Sequence, residues 1–163
     1  MLEAKYAGLE GRALDARQAE AWRRTVETLA ARFRRANLIL FSSPMWNFRI
    51  PYRLKQLIDV ISQKDVLFTF DERELNGTLN GRSVVTVAAR GVQLSPDFPP
   101  DEYDFQTAYL KMWARMVGIT DFHVITVEKT LFGPEAGSRV APRGERPGAG
   151  ARPQHSIEVN ATP

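Results

Sequence analysis

The stretch that decides the fold is Leu38-Ile39-Leu40-Phe41-Ser42-Ser43-Pro44-Met45-Trp46-Asn47-Phe48-Arg49-Ile50-Pro51. Its first four residues are apolar without alternation, which is typical of a parallel-sheet strand covered on both faces. Residues 42–44 end that strand, and Pro51 suits the first turn of a helix, because that turn needs no N–H from it. Residues 45–48 therefore form a loop at the carboxyl end of a strand. Ligands bind at that edge in open α/β sheets.

Composition excludes several kinds of chemistry. The 163 residues include no Cys and two His, so disulfides, thiolate nucleophiles and His-rich metal sites are not expected. No apolar run reaches the length of a membrane span, and no signal peptide is recognisable, so we expect a cytoplasmic protein without a membrane partner. The net charge of +3 is not gathered on one element, and we expect no nucleic-acid partner.

Helical and extended segments alternate along the chain. Asp15 and Gln18 resemble a capping box for a helix at 16–36, and a second helix is expected at 52–62. Strands are expected at 83–89 and 122–127, with loops at 71–82 and 92–102. Asp104 should cap a third helix, with an apolar face at the following positions: Phe105, Ala108, Tyr109, Met112, Trp113, Met116 and Val117. Strands separated by helices form right-handed parallel units, so the loops after Phe41 and Ala89 should meet on one side of the sheet.

The two ends of the chain differ from its middle. Residues 1–14 are irregular or hold a short helix. From Gly137 onward, Gly and Pro recur among Ala and Arg, and such a segment buries too little to offset its ordering entropy. We therefore predict a disordered tail at 137–163 and a single domain at 15–136.

Residues 43–59, Ser-Pro-Met-Trp-Asn-Phe-Arg-Ile-Pro-Tyr-Arg-Leu-Lys-Gln-Leu-Ile-Asp, resemble the signature of the FMN-dependent NAD(P)H oxidoreductases of the azoreductase and quinone-reductase type. The Gly81-Arg82 entry to a strand, its Ala89-Arg90-Gly91 exit and Gly133-Pro134-Glu135 follow in the family's order. The resemblance covers about residues 15–135. It implies an α/β fold with a three-layer, flavodoxin-like parallel sheet, incomplete at its N-terminus.

The resemblance also implies a flavin site made of two loops. The first lies along the ring near N5 and O4, and the second reaches N1 and O2. The cofactor-binding residues would be Pro44, Met45, Trp46, Asn47, Phe48, Ala89, Arg90, Gly91 and Val92. NADH or NADPH would reduce FMN, and a quinone, an azo compound or a similar small-molecule acceptor would then take the electrons in ping-pong order. No side chain need act as nucleophile. The family is commonly a homodimer, and helix 105–117 is either a dimer contact or plain core.

Three departures from the family pattern have consequences. Ala89 and Val92 stand where the family has Ser and a second Gly, and the Val92 side chain narrows or reshapes the pocket. No strand and no Ser-rich phosphate loop precede Asp15, so FMN phosphate would lack its usual cradle. The disordered tail stands in place of the family's usual closing helix. Without the family's first strand, the strand at 38–42 would also be an edge strand, which favours poor solubility or self-pairing.

Two other functions stay open from the sequence. A truncated, non-catalytic flavodoxin-like module could bind a partner through Met112 and Trp113. A nucleic-acid binder acting through the arginine-rich tail is the weaker alternative. His123 is interpreted as a structural residue inside its strand.

Overall fold

The computed structural model describes residues 15–70 and 74–133, together with the backbone of Ala141–Arg143. The helices are α1 (Ala16–Arg35), α2 (Tyr52–Ile61), α3 (Pro100–Tyr103) and α4 (Phe105–Met116), and a 3-10 turn spans Thr130–Phe132. The strands are β1 (Leu38–Pro44), β2 (Phe68–Phe70), β3 (Leu75–Gly77), β4 (Ser83–Ala89), β5 (Asp121–Val127) and β6 (Ala141–Arg143).

The main sheet has the strand order β1-β4-β5-β6. β1 pairs in parallel with β4, and β4 with β5, so that Pro44, Ala89 and Val127 stand side by side where the three strands end. β6 pairs with β5 in the antiparallel sense. The prediction of a parallel sheet is confirmed, and β1 is an edge strand among the described residues, as expected.

Helix α1 begins and ends close to the predicted limits. The Asp15 side chain accepts a 2.8 Å hydrogen bond from the Gln18 N–H and so satisfies one donor of the first turn. Phe33, on the buried stripe of α1, packs against Phe41 and Trp113 with ring centroids 6.4 and 6.0 Å away. The amphipathic pattern of the sequence thus places α1 against the sheet.

The core lies on one face of the sheet. Ile39, Phe41 and Val84 point into a cluster with side chains of α1, α2 and α4. Leu38 and Leu40 point the other way and are 57% and 62% exposed. The expectation that this strand is covered on both faces is therefore wrong for β1. A three-layer arrangement would place helices on the Leu40 side, and no described helix contributes to the core from there.

Helix α4 turns only part of the predicted face to the core: Trp113 and Val117 are buried, and Tyr109 and Met116 pack against the core cluster, as expected. Its buried residues are Gln106, Leu110, Trp113 and Ala114, whereas Phe105 and Met112 are exposed. The cap was predicted correctly, since Asp104 accepts from the Thr107 N–H at 2.9 Å. The phase was partly wrong because a polar residue belongs to the buried stripe: the Gln106 amide donates to the Ser43 carbonyl at 2.9 Å.

Part of the loop expected at 71–82 belongs to a small hairpin, because β3 lies within it. β2 and β3 pair in the antiparallel sense, with Thr69 opposite Asn76. Gly77 in β3 lies against the end of α4, where a Cβ on it would stand 1.9 Å from the Val117 carbonyl carbon and 2.0 Å from the Gly118 nitrogen. The hairpin therefore contacts the backbone of α4 directly, and side chains do not separate them.

Two further expectations need correction or lie outside the described residues. The segment expected to be a loop at 92–102 runs into the short helix α3, which has Pro100 at its first position. Ala141–Arg143 form a strand inside the predicted disordered tail. Residues 1–14 and the rest of 137–163 lie outside the described residues.

Candidate functional site

The loop after β1 is a tight turn with an unusual backbone. Trp46 and Arg49 exchange two hydrogen bonds, with N to O distances of 2.9 and 3.0 Å. Asn47 and Phe48, between them, have φ values of 48° and 67°. Positive φ at both central residues defines the type I′ family of turns, in which Asn is common and an aromatic residue is not. Holding Phe48 there costs about 1–2 kcal/mol, so the rest of the fold must impose this conformation.

Neighbouring elements fix the turn at both ends. The Met45 N–H donates to the Ala89 carbonyl at 2.7 Å, which ties the start of the turn to the end of β4. Ile50 is buried, and Pro51 begins α2 directly after it. The hydrogen bond from Gln106 to Ser43 holds the last part of β1 against α4. The buried position of Gln106 was not predicted, because nothing in the sequence pattern marks a buried amide.

The turn leaves a few polar groups for a ligand. The N–H groups of Met45, Trp46 and Arg49 already donate within the protein. Among the described residues, the N–H groups of Asn47 and Phe48 and the Asn47 side chain have no protein partner. The Trp46 and Phe48 side chains are partly exposed beside them. A planar ligand with acceptor atoms on one edge fits such a set.

The second predicted loop, 89–92, starts at the same edge of the sheet. Both polar backbone groups of Arg90 are used, since its N–H donates to Val127 and its carbonyl accepts from Thr130. Its side chain is buried and pairs with Asp104 and, at 3.6 Å, with Glu128. Arg90 therefore acts on the loop from inside the protein. Its role in cofactor binding stays a prediction. Arg90 would affect the cofactor indirectly, by holding Gly91 and Val92 in position.

Gly91 and Val92 are the accessible part of this loop. Their N–H groups have no protein partner within the described ranges. Gly91 lacks a side chain because Leu131 occupies that space: a Cβ would lie 2.7 Å from its Cδ1 atom. The space beside Gly91 is thus filled by a protein side chain. Val92 is 38% exposed.

The two loops meet, as predicted, through Tyr103 of α3. Its ring lies 5.3 Å from that of Phe48 in the first loop and 5.4 Å from that of Phe98, in the segment that follows the second loop. Together with the bond between Met45 and Ala89, these contacts bring 44–48 and 89–92 to one rim of the sheet. The unpartnered N–H groups of both loops therefore belong to one region of the surface.

A groove of about 690 Å³ adjoins the turn. Its lining residues come from the turn, from the start of α2 and from the exposed face of α4: Trp46, Asn47, Arg49, Ile50, Pro51, Tyr52, Lys55, Phe105, Ala108 and Tyr109. Residues 89–92 are not part of it. The groove was not predicted, because Phe105 and Ala108, which line it, were expected on the buried face of α4. Tyr109 lines the groove and also packs against the core.

Electrostatics in the groove centre on Lys55. Its ammonium group contacts both carboxylate oxygens of Asp59 at 2.6 Å, and this hydrogen bonding raises the Lys55 pKa. Tyr109 lies beside it, and burial, more than the opposing effect of Lys55, raises the pKa of its phenol. At neutral pH the groove therefore holds a neutral phenol and a compensated ion pair.

One of the two residues of the alternative contact surface has a structural role instead. Trp113 is 1% exposed and donates from Nε1 to the Ser62 hydroxyl at 2.9 Å, so the prediction of a partner surface through Trp113 is wrong. Met112 is exposed. His123 bonds to Asp121 at 2.7 Å on the surface, which agrees with a structural interpretation, although it is more exposed than a core histidine.

In the described ranges no cluster of ligating side chains suits a metal ion, and no helix is long and apolar enough to cross a membrane.

A three-stranded parallel sheet with paired loops at its carboxyl rim defines a flavodoxin-like class of protein. A sequence profile described as "Flavodoxin-like fold" matches residues 2–145, and the chain belongs to that family.

Relatives make the comparison more specific. An FMN-dependent NADH:quinone oxidoreductase 2 of Pseudomonas syringae pv. tomato is 53% identical over 133 residues, which are 82% of this chain and 63% of that protein. An FMN-dependent NADH:quinone oxidoreductase 9 of Burkholderia lata is 53% identical over 135 residues, 81% of this chain and 64% of that protein.

A solved structure shares the fold. It is an FMN-dependent NADH-azoreductase from Bacillus anthracis in complex with FMN, with a TM-score of 0.68 and 24% identity over 80% of this chain and 61% of that one. The chain thus spans less than two thirds of the length of these relatives.

Proposed function

We propose that this chain carries the flavin-ring half of an FMN-dependent NAD(P)H oxidoreductase that reduces quinones, azo compounds or similar acceptors. The observation that carries the proposal is the type I′ turn at Trp46–Arg49. It presents the N–H groups of Asn47 and Phe48 at the carboxyl rim of a parallel sheet, beside those of Gly91 and Val92. The relatives named FMN-dependent NADH:quinone oxidoreductases support it.

The residues present fit the ring of a flavin. Unpartnered N–H donors suit its polar edge, and the exposed Trp46 and Phe48 side chains suit its apolar faces. FMN, when bound, supplies two-electron carrier chemistry. In the net reaction, NADH, a proton and a quinone give NAD⁺ and a hydroquinone, so atoms and electrons balance.

The chain's own contribution to that chemistry is binding, orientation and exclusion of water. Donors from Asn47 and Phe48 on one side, and from Gly91 and Val92 on the other, would stabilise negative charge that develops along the ring edge. The aromatic walls would keep water from the transferred hydride. No described side chain is needed as a nucleophile or as a metal ligand.

A cradle for the phosphate is a separate matter. Among the described helices, α1 and α4 begin at the carboxylates of Asp15 and Asp104, which already occupy N–H groups of their first turns. Helix α2 has no side-chain cap, but its N-terminus lies at the groove beside the turn and is not preceded by a Gly- or Ser-rich loop. We therefore expect ring contacts to dominate binding to the described residues, so riboflavin and FMN should bind this chain with similar affinity.

Flavin titration tests the proposal. Quenching of flavin fluorescence with a micromolar Kd, followed by NADH oxidation when a quinone is added, is the expected result. Asn47→Asp replaces a neutral amide with a carboxylate beside the ring and should weaken binding, whereas Gln56→Glu, an equivalent change at an exposed position of α2, should not. Absence of quenching with FMN and with riboflavin would refute the proposal for this chain.

The proposal extends to a homodimer in the cytoplasm, as the family resemblance implies. Light scattering that gives twice the chain mass of 18.4 kDa would support the dimer. A monomer that still binds flavin would remove the dimer from the proposal and leave the ring site intact.

A further inference from the structure

We infer that the groove beside the turn binds the anionic end of a planar aromatic electron acceptor, with Arg49 as the group that contacts the anion. The inference deepens the proposed function by naming a substrate class, and it rests on that function only for the identity of the ligand as an electron acceptor. The groove shares Trp46 and Asn47 with the turn. A ligand lying in it therefore reaches the place proposed for the flavin ring.

The size and walls of the groove suit a flat aromatic molecule. Its volume of about 690 Å³ lies in the range of small-molecule sites, about 300–1,000 Å³. Trp46, Phe105 and Tyr109 give it aromatic walls, and Ile50 and Pro51 add apolar contacts. These side chains favour stacking over a network of hydrogen bonds.

The charge of the groove selects an anion. The Arg49 guanidinium lies over the Phe105 ring, 5.6 Å from its centroid, and both residues line the groove. Among the described residues no carboxylate forms an ion pair with Arg49. The other cation, Lys55, is compensated by Asp59 at 2.6 Å. The groove therefore carries one net positive charge, held in place by a ring contact.

Two neighbouring groups add to this preference. The N-cap of α2, Pro51, offers no side-chain cap, and Pro51 and Tyr52 line the groove, so the positive end of the helix dipole lies at the groove. The Tyr109 phenol, whose pKa is raised by burial, keeps its proton at neutral pH and can donate to an anion. Neither group repels a carboxylate or a sulfonate.

A matched pair of ligands tests the inference without turnover. Anthraquinone-2-sulfonate and its uncharged analogue 2-(hydroxymethyl)anthraquinone are titrated calorimetrically into the protein, with and without FMN. Arg49→Gln should weaken sulfonate binding about three- to tenfold and leave the uncharged analogue unchanged, as expected for one partly exposed ionic contact. Arg49→Lys should restore part of the loss. Arg53→Gln is the control, because the Arg53 guanidinium lies over Tyr52 and does not line the groove.

Each outcome decides between the alternatives. Equal losses for both ligands, or no loss for either, would overturn the inference. Loss of FMN affinity but not riboflavin affinity in Arg49→Gln would show that Arg49 serves the cofactor phosphate, which also overturns it. If no flavin binds but sulfonate selectivity still depends on Arg49, the groove inference stands and the proposed function fails. If quinones are reduced but sulfonate selectivity does not depend on Arg49, the proposed function stands and the groove inference fails.

Discussion

Asp104 has two structural roles, helix capping and ion pairing, and substitutions at this position measure their separate contributions to stability. It caps α4 through the Thr107 N–H, and it pairs with the buried guanidinium of Arg90 at the base of the second loop. Asp15 has the first task alone, since it caps α1 at an exposed position without an ion pair. The chain therefore contains its own control for the capping contribution.

The expected losses differ clearly. Removing an N-cap carboxylate costs about 1 kcal/mol, which is the whole effect expected for Asp15→Ala. Breaking a buried ion pair by deleting one partner costs about 3–5 kcal/mol, and the lower end applies because Glu128 remains 3.6 Å from Arg90. Asp104→Ala should therefore destabilise the fold by about 4 kcal/mol. Asp104→Asn, which keeps a capping oxygen, should cost about 3 kcal/mol.

Urea denaturation of the four variants Asp15→Ala, Asp15→Asn, Asp104→Ala and Asp104→Asn measures these differences as midpoints at constant slope. Flavin titration of Asp104→Asn below its unfolding midpoint adds a functional measurement, because a displaced Arg90 should shift Gly91 and weaken binding. If Asp104→Ala cost no more than Asp15→Ala, the buried pair would contribute nothing, and the positioning role given to Arg90 would be refuted.

The remaining predictions concern crowding, strain and pH. In Gly91→Ala the new methyl group meets only the exposed Leu131 side chain, so the free energy of unfolding should fall by less than about 1 kcal/mol. In Gly77→Ala the methyl group meets backbone atoms, so the loss should exceed about 3 kcal/mol. Urea midpoints measure both losses, and equal values would contradict this difference. Phe48→Gly creates the Asn-Gly pair that type I′ turns prefer; it should change stability by under about 1 kcal/mol, because relief of strain offsets the lost ring contact, yet weaken flavin binding by titration. The folded state holds the Tyr109 proton more tightly than the unfolded chain does, so stability should fall as pH rises past 10.0, and Tyr109→Phe should reduce that fall in alkaline denaturation curves; identical curves would exclude the effect.

Local signals in the sequence predicted the frame of the fold well. The caps at Asp15 and Asp104, the strand at 83–89 and the alternation of strands with helices depend on neighbouring residues and on the handedness of parallel units. The meeting of the loops at 44–48 and 89–92 follows from the same rule, because parallel strands end at one rim. These parts of the fold needed no tertiary information.

Tertiary contacts decided what the pattern could not. Gln106 is buried because of a hydrogen bond to Ser43, a residue 63 positions away, and that bond sets the phase of α4. Helical periodicity alone favoured Phe105 and Ala108 as core residues and so gave no indication of the groove. Similarly, the apolar run from Leu38 to Phe41 does not reveal whether both faces of its strand are covered, because that depends on helices elsewhere in the chain. The family resemblance implied that Arg90 contacts the cofactor, and the sequence did not show that its charge is buried against Asp104 and Glu128.

The close contact of Gly77 with the Val117–Gly118 backbone limits how this protein can diverge. A tight fit between side chains can be relieved by a smaller neighbouring residue, so substitutions at such positions can compensate for one another. Here the obstacle is peptide backbone, which every amino acid carries, and no second mutation at 117 or 118 can make room. Descendants of this gene should therefore keep glycine at position 77 or rebuild the hairpin as a unit.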